Sequence, residues 1–151
     1  SQVDPDFVVK DVARLCQVYN ITLCGVDYGH GWGVNNALVR MLGAQRVMQI
    51  QYLPKQRKPL VWDPIGFKYQ ALRNLIISEF FVELKQKHII LPNWASFETF
   101  GKDILAVFTE WQEYLRQIIF QHRQTDPDDA LHSLIYCKLA ADISLGKRTR
   151  I

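Results

Sequence analysis

Ile21-Thr-Leu-Cys-Gly-Val-Asp27-Tyr-Gly-His-Gly-Trp-Gly33 decides how this chain is read. The run 21–27 is short and apolar and ends in an acid, as a buried strand does. The glycines after it predict a tight turn. Residues 34–42 carry Val34, Leu38, Met41 and Leu42 at helical spacing, with Gly43 as the stop. Upstream, Phe7, Val8, Val12, Leu15, Cys16 and Tyr19 predict a helix over 5–19. Downstream, Val47, Met48, Ile50 and Tyr52 predict a second strand over 46–53. Helix, strand, helix and strand in that order specify a parallel α/β unit.

The rest of the chain is read outward from this unit. Pro54, Pro59, Pro64 and Gly66 predict a loop over 54–66 that holds Lys55, Arg57 and Lys58. A long amphipathic helix is expected over 68–87, and a short strand over 88–91 closed by Pro92. Residues 96–120 suit one long helix or two short ones. Asp126-Pro127 opens a last helix over 127–145, ended by Gly146.

Length and composition set outer limits. The chain has 151 residues, is 48% hydrophobic and 22% charged, and carries a net charge of +3. That is one ordinary globular domain, not a disordered chain or a coiled coil. No stretch reaches the ~20 apolar residues of a membrane span. Three cysteines without a CxxC pair predict buried thiols rather than a disulfide framework. The net charge hides a segregation. Residues 46–88 hold eight basic and three acidic residues, whereas 89–145 hold four basic and eight acidic. A basic middle beside an acidic second half suits a polyanion groove next to a carboxylate site.

Two stretches can carry chemistry. Asp27 stands at the carboxyl end of a strand, where α/β proteins bind ligands. It can be a metal ligand or a turn cap, and the glycines after it can cradle a phosphate. The dinucleotide pattern GxGxxG is broken by Val34, and no phosphate-loop GK[ST] ending follows. The second stretch is Thr125-Asp-Pro-Asp-Asp-Ala-Leu-His132. Capping and the helix dipole explain its acids. An inward-turned Asp129 or Asp128 is the alternative, with His132 one turn beyond Asp129 on the same helix face. The four histidines have no zinc-type spacing, and there is no GxSxG elbow. The aromatics Trp62, Phe67, Tyr69, Trp94, Phe97, Phe100 and Trp111 are expected in the core.

Taken together, these residues resemble the C-terminal nuclease domain of tailed-phage terminase large subunits. The likeness rests on Asp6–Leu42, with its Gly25-Val-Asp27 acid before a Gly-x-Gly turn. It continues through Phe67–Arg73 to His88-Ile-Ile-Leu-Pro92, and through Asp126-Pro-Asp-Asp-Ala-Leu-His-Ser-Leu-Ile-Tyr136. The resemblance implies an α/β, ribonuclease H-like fold over 1–151. It implies a partial, mostly parallel sheet from strands near 21–27, 46–53 and 88–91, flanked by helices. It also implies a nuclease whose acidic triad holds two Mg²⁺ or Mn²⁺ ions and cuts concatemeric viral DNA.

By that resemblance Asp27 takes the second acidic position and Asp129 the third, with Asp128 as its alternate. The family's first acid lies on strands upstream of residue 6, so the chain is expected to be an N-terminally truncated piece. His30 and His132 are supporting candidates, and Lys55, Arg57, Lys58, Lys68 and Arg73 are candidates to hold DNA phosphates. The implied partners are double-stranded DNA, an ATPase domain, a portal ring and the small terminase subunit. The implied place is the bacterial host cytoplasm, at the procapsid portal, with no membrane. Two other functions fit the residues: a non-catalytic DNA-binding or portal-docking module, and a nucleotide-binding α/β module using the glycine turn.

Overall fold

The computed structural model describes residues 4–29, 32–114 and 116–148. The described chain is α/β, with a mixed four-stranded sheet, helices and a separate two-stranded hairpin. It divides into two compact units. The first holds residues 1–53, 60–71 and 136–151, and the second holds 54–59 and 72–135.

In the first unit, helix α1 (Pro5–Val18) starts where the Asp4 side chain accepts from the Asp6 N–H at 3.0 Å, with Pro5 at the first helical position. Val9, Ala13 and Cys16, spaced along one face, are buried. Strand β1 (Cys24–Asp27) runs parallel to β2 (Val47–Leu53), Cys24 opposite Val47 and Asp27 opposite Ile50. Helix α2 (Trp32–Leu42) is the crossover between them. Val9, Leu38 and Val47 form a buried cluster, with Val12, Val26 and Val34 packed against it.

The strand order is β1-β2-β4-β3. Strands β3 (Leu60–Asp63) and β4 (Lys68–Leu72) form an antiparallel hairpin inside the stretch expected to be loop and helix start. Tyr69 and Ala71 alternate with less buried neighbours, which is a strand period and not a helical one. The Trp62 and Tyr69 rings, opposite each other across the hairpin, lie 4.9 Å apart. Asp63 closes the turn, its Oδ1 accepting from the N–H groups of Ile65 and Gly66. The sheet is therefore mixed rather than mostly parallel.

In the second unit, α3 (Arg73–Lys85) buries Ile76, Ile77 and Phe80. It begins five residues later than the periodicity suggested, because residues 68–72 belong to β4. No strand forms at 88–91. Lys87 adopts a left-handed φ of 61° and Ile90 is 90% exposed, so this segment has neither a partner strand nor a core to face. Helix α4 (Trp94–Leu105) is capped by Asn93, whose side chain accepts from the Ser96 N–H at 3.0 Å. The helix expected beyond it is instead a hairpin of β5 (Phe108–Gln112) and β6 (Gln117–Gln121). Thr109, Trp111, Ile118, Ile119 and Phe120 are strand formers whose helical spacing was fortuitous.

Helix α5 (Asp129–Ser144) starts in the second unit and ends in the first. Gly146, at a φ of 70°, ends it. Near that end Asp142 is buried between Lys138 at 2.6 Å and Arg148 at 3.4 Å, which offsets an acid at the negative helix terminus. Among the described residues no helix is long and apolar enough to cross a membrane. All three cysteines are free, but only Cys16 is buried and Cys137 is exposed, so the expectation of three buried thiols fails. Several aromatics placed in the core by sequence are also exposed, including Phe67, Trp94, Phe100 and Trp111.

Candidate functional site

Asp27 is the last residue of β1 and is exposed there. Its position is fixed from three sides. Its backbone oxygen accepts from Asn35 Nδ2 at 2.6 Å, and Asn35 is buried on α2. Its carboxylate Oδ2 accepts from the Gly29 N–H at 3.0 Å. Its Oδ1 accepts from the Tyr136 hydroxyl at 3.2 Å. Two glycines make this possible. A Cβ on Gly29 would stand 2.9 Å from Asp27 Oδ2, and one on Gly25 would stand 2.6 Å from the backbone oxygen of Tyr136. Gly29 thus stands directly against the Asp27 carboxylate. His30 and Gly31 lie outside the described residues.

Burial, foremost, and then the neighbouring Tyr52 and the Asp27 charge push the Tyr136 hydroxyl well above its ordinary range. Tyr136 therefore stays protonated and remains a donor. A turn-capping Asp needs only a local N–H. Asp27 takes a second donor from a residue 109 positions away and keeps lone pairs for an outside partner. A carboxylate held on both oxygens and open to solvent suits a hard divalent cation.

In the second unit, the DPDDALH stretch sorts its acids. Asp128 is largely buried, and its Oδ2 meets His132 Nε2 at 2.9 Å and His122 Nε2 at 3.5 Å. Nδ1 of His122 faces two carbonyl oxygens, those of Arg123 at 2.9 Å and Asp126 at 2.7 Å. Carbonyls only accept, so that nitrogen carries hydrogen. Asp129 is exposed at the first position of α5. The helix start is satisfied instead by Asp103 on α4, whose Oδ2 accepts from the Ala130 N–H at 3.0 Å. Asp103 and Asp129 line one pocket of about 410 Å³ with Phe97, Phe100, Ala130, Ser133 and Leu134.

No family model, curated protein or solved structure matches this chain. The site is read from its own residues. Asp27 lies in the first unit, and Asp128, Asp129 and His132 lie in the second. Among the described residues, no group of three His, Cys, Asp or Glu side chains is placed to hold a metal ion. Asp27 is an exposed carboxylate that accepts one hydrogen bond on each oxygen.

The five basic candidates separate clearly. Lys55, Arg57 and Lys58 are exposed. Lys68 is only 14% exposed, its Nζ 3.9 Å from Asp63 and 4.0 Å above the Tyr28 ring. Arg73 donates to the Phe120 carbonyl at 2.6 Å and ties β6 to α3. Lys68 and Arg73 are therefore structural cations and not open phosphate contacts.

Sequence reading missed Tyr136, Asn35, Asp103 and His122. Only Tyr136 left a signal, one helical turn after His132 on the same face.

His132 carries a pH prediction. Burial lowers its pKa from the ordinary 6.5, against the opposing pull of Asp128, while Arg73 lowers it further and Asp129 opposes. Below pH 6.5 the unfolded chain binds this proton before the folded chain does, so acid favours unfolding. Above pH 6.5 the penalty vanishes. Urea midpoints should fall from pH 7.5 to 5.5, and His132→Gln should flatten that fall. An equal fall in the variant would assign the acid sensitivity elsewhere.

Proposed function

We propose that this chain is a metal-dependent DNA endonuclease domain of the ribonuclease H-like kind found in phage terminase large subunits. The observation that carries the reading is the Asp27 carboxylate, exposed at a strand's carboxyl end and held on both oxygens. The sequence resemblance supplies the reaction, and the exposed trio Lys55, Arg57 and Lys58 supports a polyanionic substrate.

In this reading Asp27 and Asp129 are metal ligands. Divalent cations bound to them would activate water and stabilise the leaving 3′ oxygen of a phosphodiester. Tyr136 and the Gly29 N–H keep the Asp27 carboxylate in one orientation. Asp103 caps α5, which leaves the Asp129 carboxylate outside the helix hydrogen bonding. Lys55, Arg57 and Lys58 hold phosphates without reading sequence, so binding weakens steeply with salt.

The test is nicking of supercoiled plasmid DNA in Mn²⁺ by the protein that contains this chain. Nicking should be abolished by chelator and by Asp27→Asn, and should survive Asp128→Asn. Nicking that persists in Asp27→Asn would contradict the reading.

A further inference from the structure

The β5–β6 hairpin has two outer edges, and they differ in how their backbone groups are satisfied. On the β6 side, side chains of α3 take three of them. Asn74 Oδ1 accepts from the Phe120 N–H at 3.4 Å, Asn74 Nδ2 donates to the Ile118 carbonyl at 3.4 Å, and Arg73 donates to the Phe120 carbonyl at 2.6 Å. An N–H has one hydrogen, so residue 120 points its donor away from β5. Phe120 is opposite Thr109, and Ile118 is opposite Trp111. These are therefore the non-hydrogen-bonded pairs of the antiparallel ladder, and Thr109 and Trp111 also point their N–H and C=O groups outward. Among the described residues nothing bonds to that outer edge of β5. Four of the five β5 residues are exposed, Trp111 at 59%. The strand carries neither the Pro, the Lys nor the bulge that ordinarily blunts an edge.

The same register specifies the occupant. A strand added here hydrogen-bonds at Thr109 and Trp111. Glu110 then falls in the pair between them, where facing side chains come closest. Glu110 is the one charged residue on β5 and β6. Gln121 Nε2 donates to its Oε2 at 2.7 Å, which holds the carboxylate without neutralising it. The complement of Glu110 is a basic residue. Trp111 lies across from Ile118, itself exposed, so the complement of Trp111 is apolar. A second copy of β5 centred on this edge would set Glu110 against Glu110, and like charges directly opposite destabilise a sheet.

We propose that the outer edge of β5 is a docking site for an extended segment of a partner protein, with Lys or Arg opposite Glu110 and an apolar residue opposite Trp111. The segment adds a third strand to the hairpin. The site lies wholly in the second unit and does not rest on the nuclease reading.

The probes are two capped seven-residue peptides, threonine at the ends and valine beside the central residue, which is lysine in one and glutamate in the other. In the free protein, the Thr109 and Trp111 amides should exchange with deuterium about tenfold faster than the Glu110 amide, which faces β6. The lysine peptide at saturation should slow both outward amides about tenfold. It should bind about 3–10-fold more tightly than the glutamate peptide, and Glu110→Lys should reverse that order. Thr109→Pro removes an outward donor that the β6 ladder does not use. It should abolish binding while the melting temperature stays within about 4 °C of the wild type. Should Thr109→Pro unfold the hairpin, the reversal in Glu110→Lys decides.

Outward amides already protected in the free protein would overturn the proposal, and a dimer in sedimentation would then give the edge to a second copy. Absence of protection by the lysine peptide, binding retained by a folded Thr109→Pro, or a peptide preference indifferent to Glu110→Lys would each overturn it as well.

Discussion

Gly25→Ala is expected to lower the unfolding free energy by about 1–3 kcal/mol, the ordinary cost of forcing atoms into a filled space. The new Cβ would lie 2.6 Å from the Tyr136 backbone oxygen, 2.9 Å from its carbonyl carbon and 3.0 Å from its Cβ. Two of these three are backbone atoms, so no rotamer change relieves the clash. Strand β1 or the middle of α5 must move, and the Tyr136 hydroxyl leaves Asp27 as it does so. The loss in stability should therefore come with averaging of the Asp27 side chain. Gly33→Ala is the control. It lies in α2 with nothing within 4 Å of the added Cβ, and helical alanine should raise stability by about 0.5–1 kcal/mol. Chemical denaturation of the three proteins checks the pair. Equal stabilities at Gly25 and Gly33 would mean that β1 and residue 136 are not in close contact.

The two neighbouring acids of the DPDDALH stretch should separate completely. Asp128 is largely buried and its Oδ2 meets His132 Nε2 at 2.9 Å, so Asp128→Asn should cost about 1.5–3 kcal/mol of stability through the lost charged hydrogen bond. Its Mn²⁺ affinity should stay near that of the wild type. Asp129 is exposed and the helix start is capped by Asp103, so Asp129→Asn should leave stability almost unchanged. Its Mn²⁺ affinity should fall by more than the roughly 100-fold that loss of an outer partner can cause. Denaturation and calorimetry on both variants read the two effects separately. The reverse pattern would make Asp128 the ligand.

The first α/β unit was legible because each of its elements declares itself within one short window. Phe7, Val8, Val12, Leu15, Cys16 and Tyr19 recur at helical spacing over 5–19, although the face that α1 buries is Val9, Ala13 and Cys16, and Phe7, Leu15 and Tyr19 are exposed. The hairpins were not legible. Lys68-Tyr-Gln-Ala-Leu72 has helix-compatible composition, and only pairing with Leu60–Asp63 makes it a strand. The same holds for Phe108–Gln112 and Gln117–Gln121, whose apolar residues satisfy a helix pattern and a strand pattern alike.

Sequence reading singled out Asp27 and Asp129 but not the groups around them. Tyr136 reaches Asp27 across 109 residues, and Asp103 reaches the start of α5 across 27. Such partners are set by tertiary packing and leave no local pattern. Lys68 and Arg73 show the converse. Their charge suggested open phosphate contacts, and burial turned it inward to Asp63, Tyr28 and Phe120.

The most direct test of the metal-centre claim is Mn²⁺ titration by calorimetry on the wild type, Asp27→Asn and Asp129→Asn. Saturable binding in the wild type that weakens sharply in both variants is the expected result. No binding, or binding indifferent to both substitutions, would contradict it and reduce Asp27 to a turn residue and Asp129 to a helix-end acid.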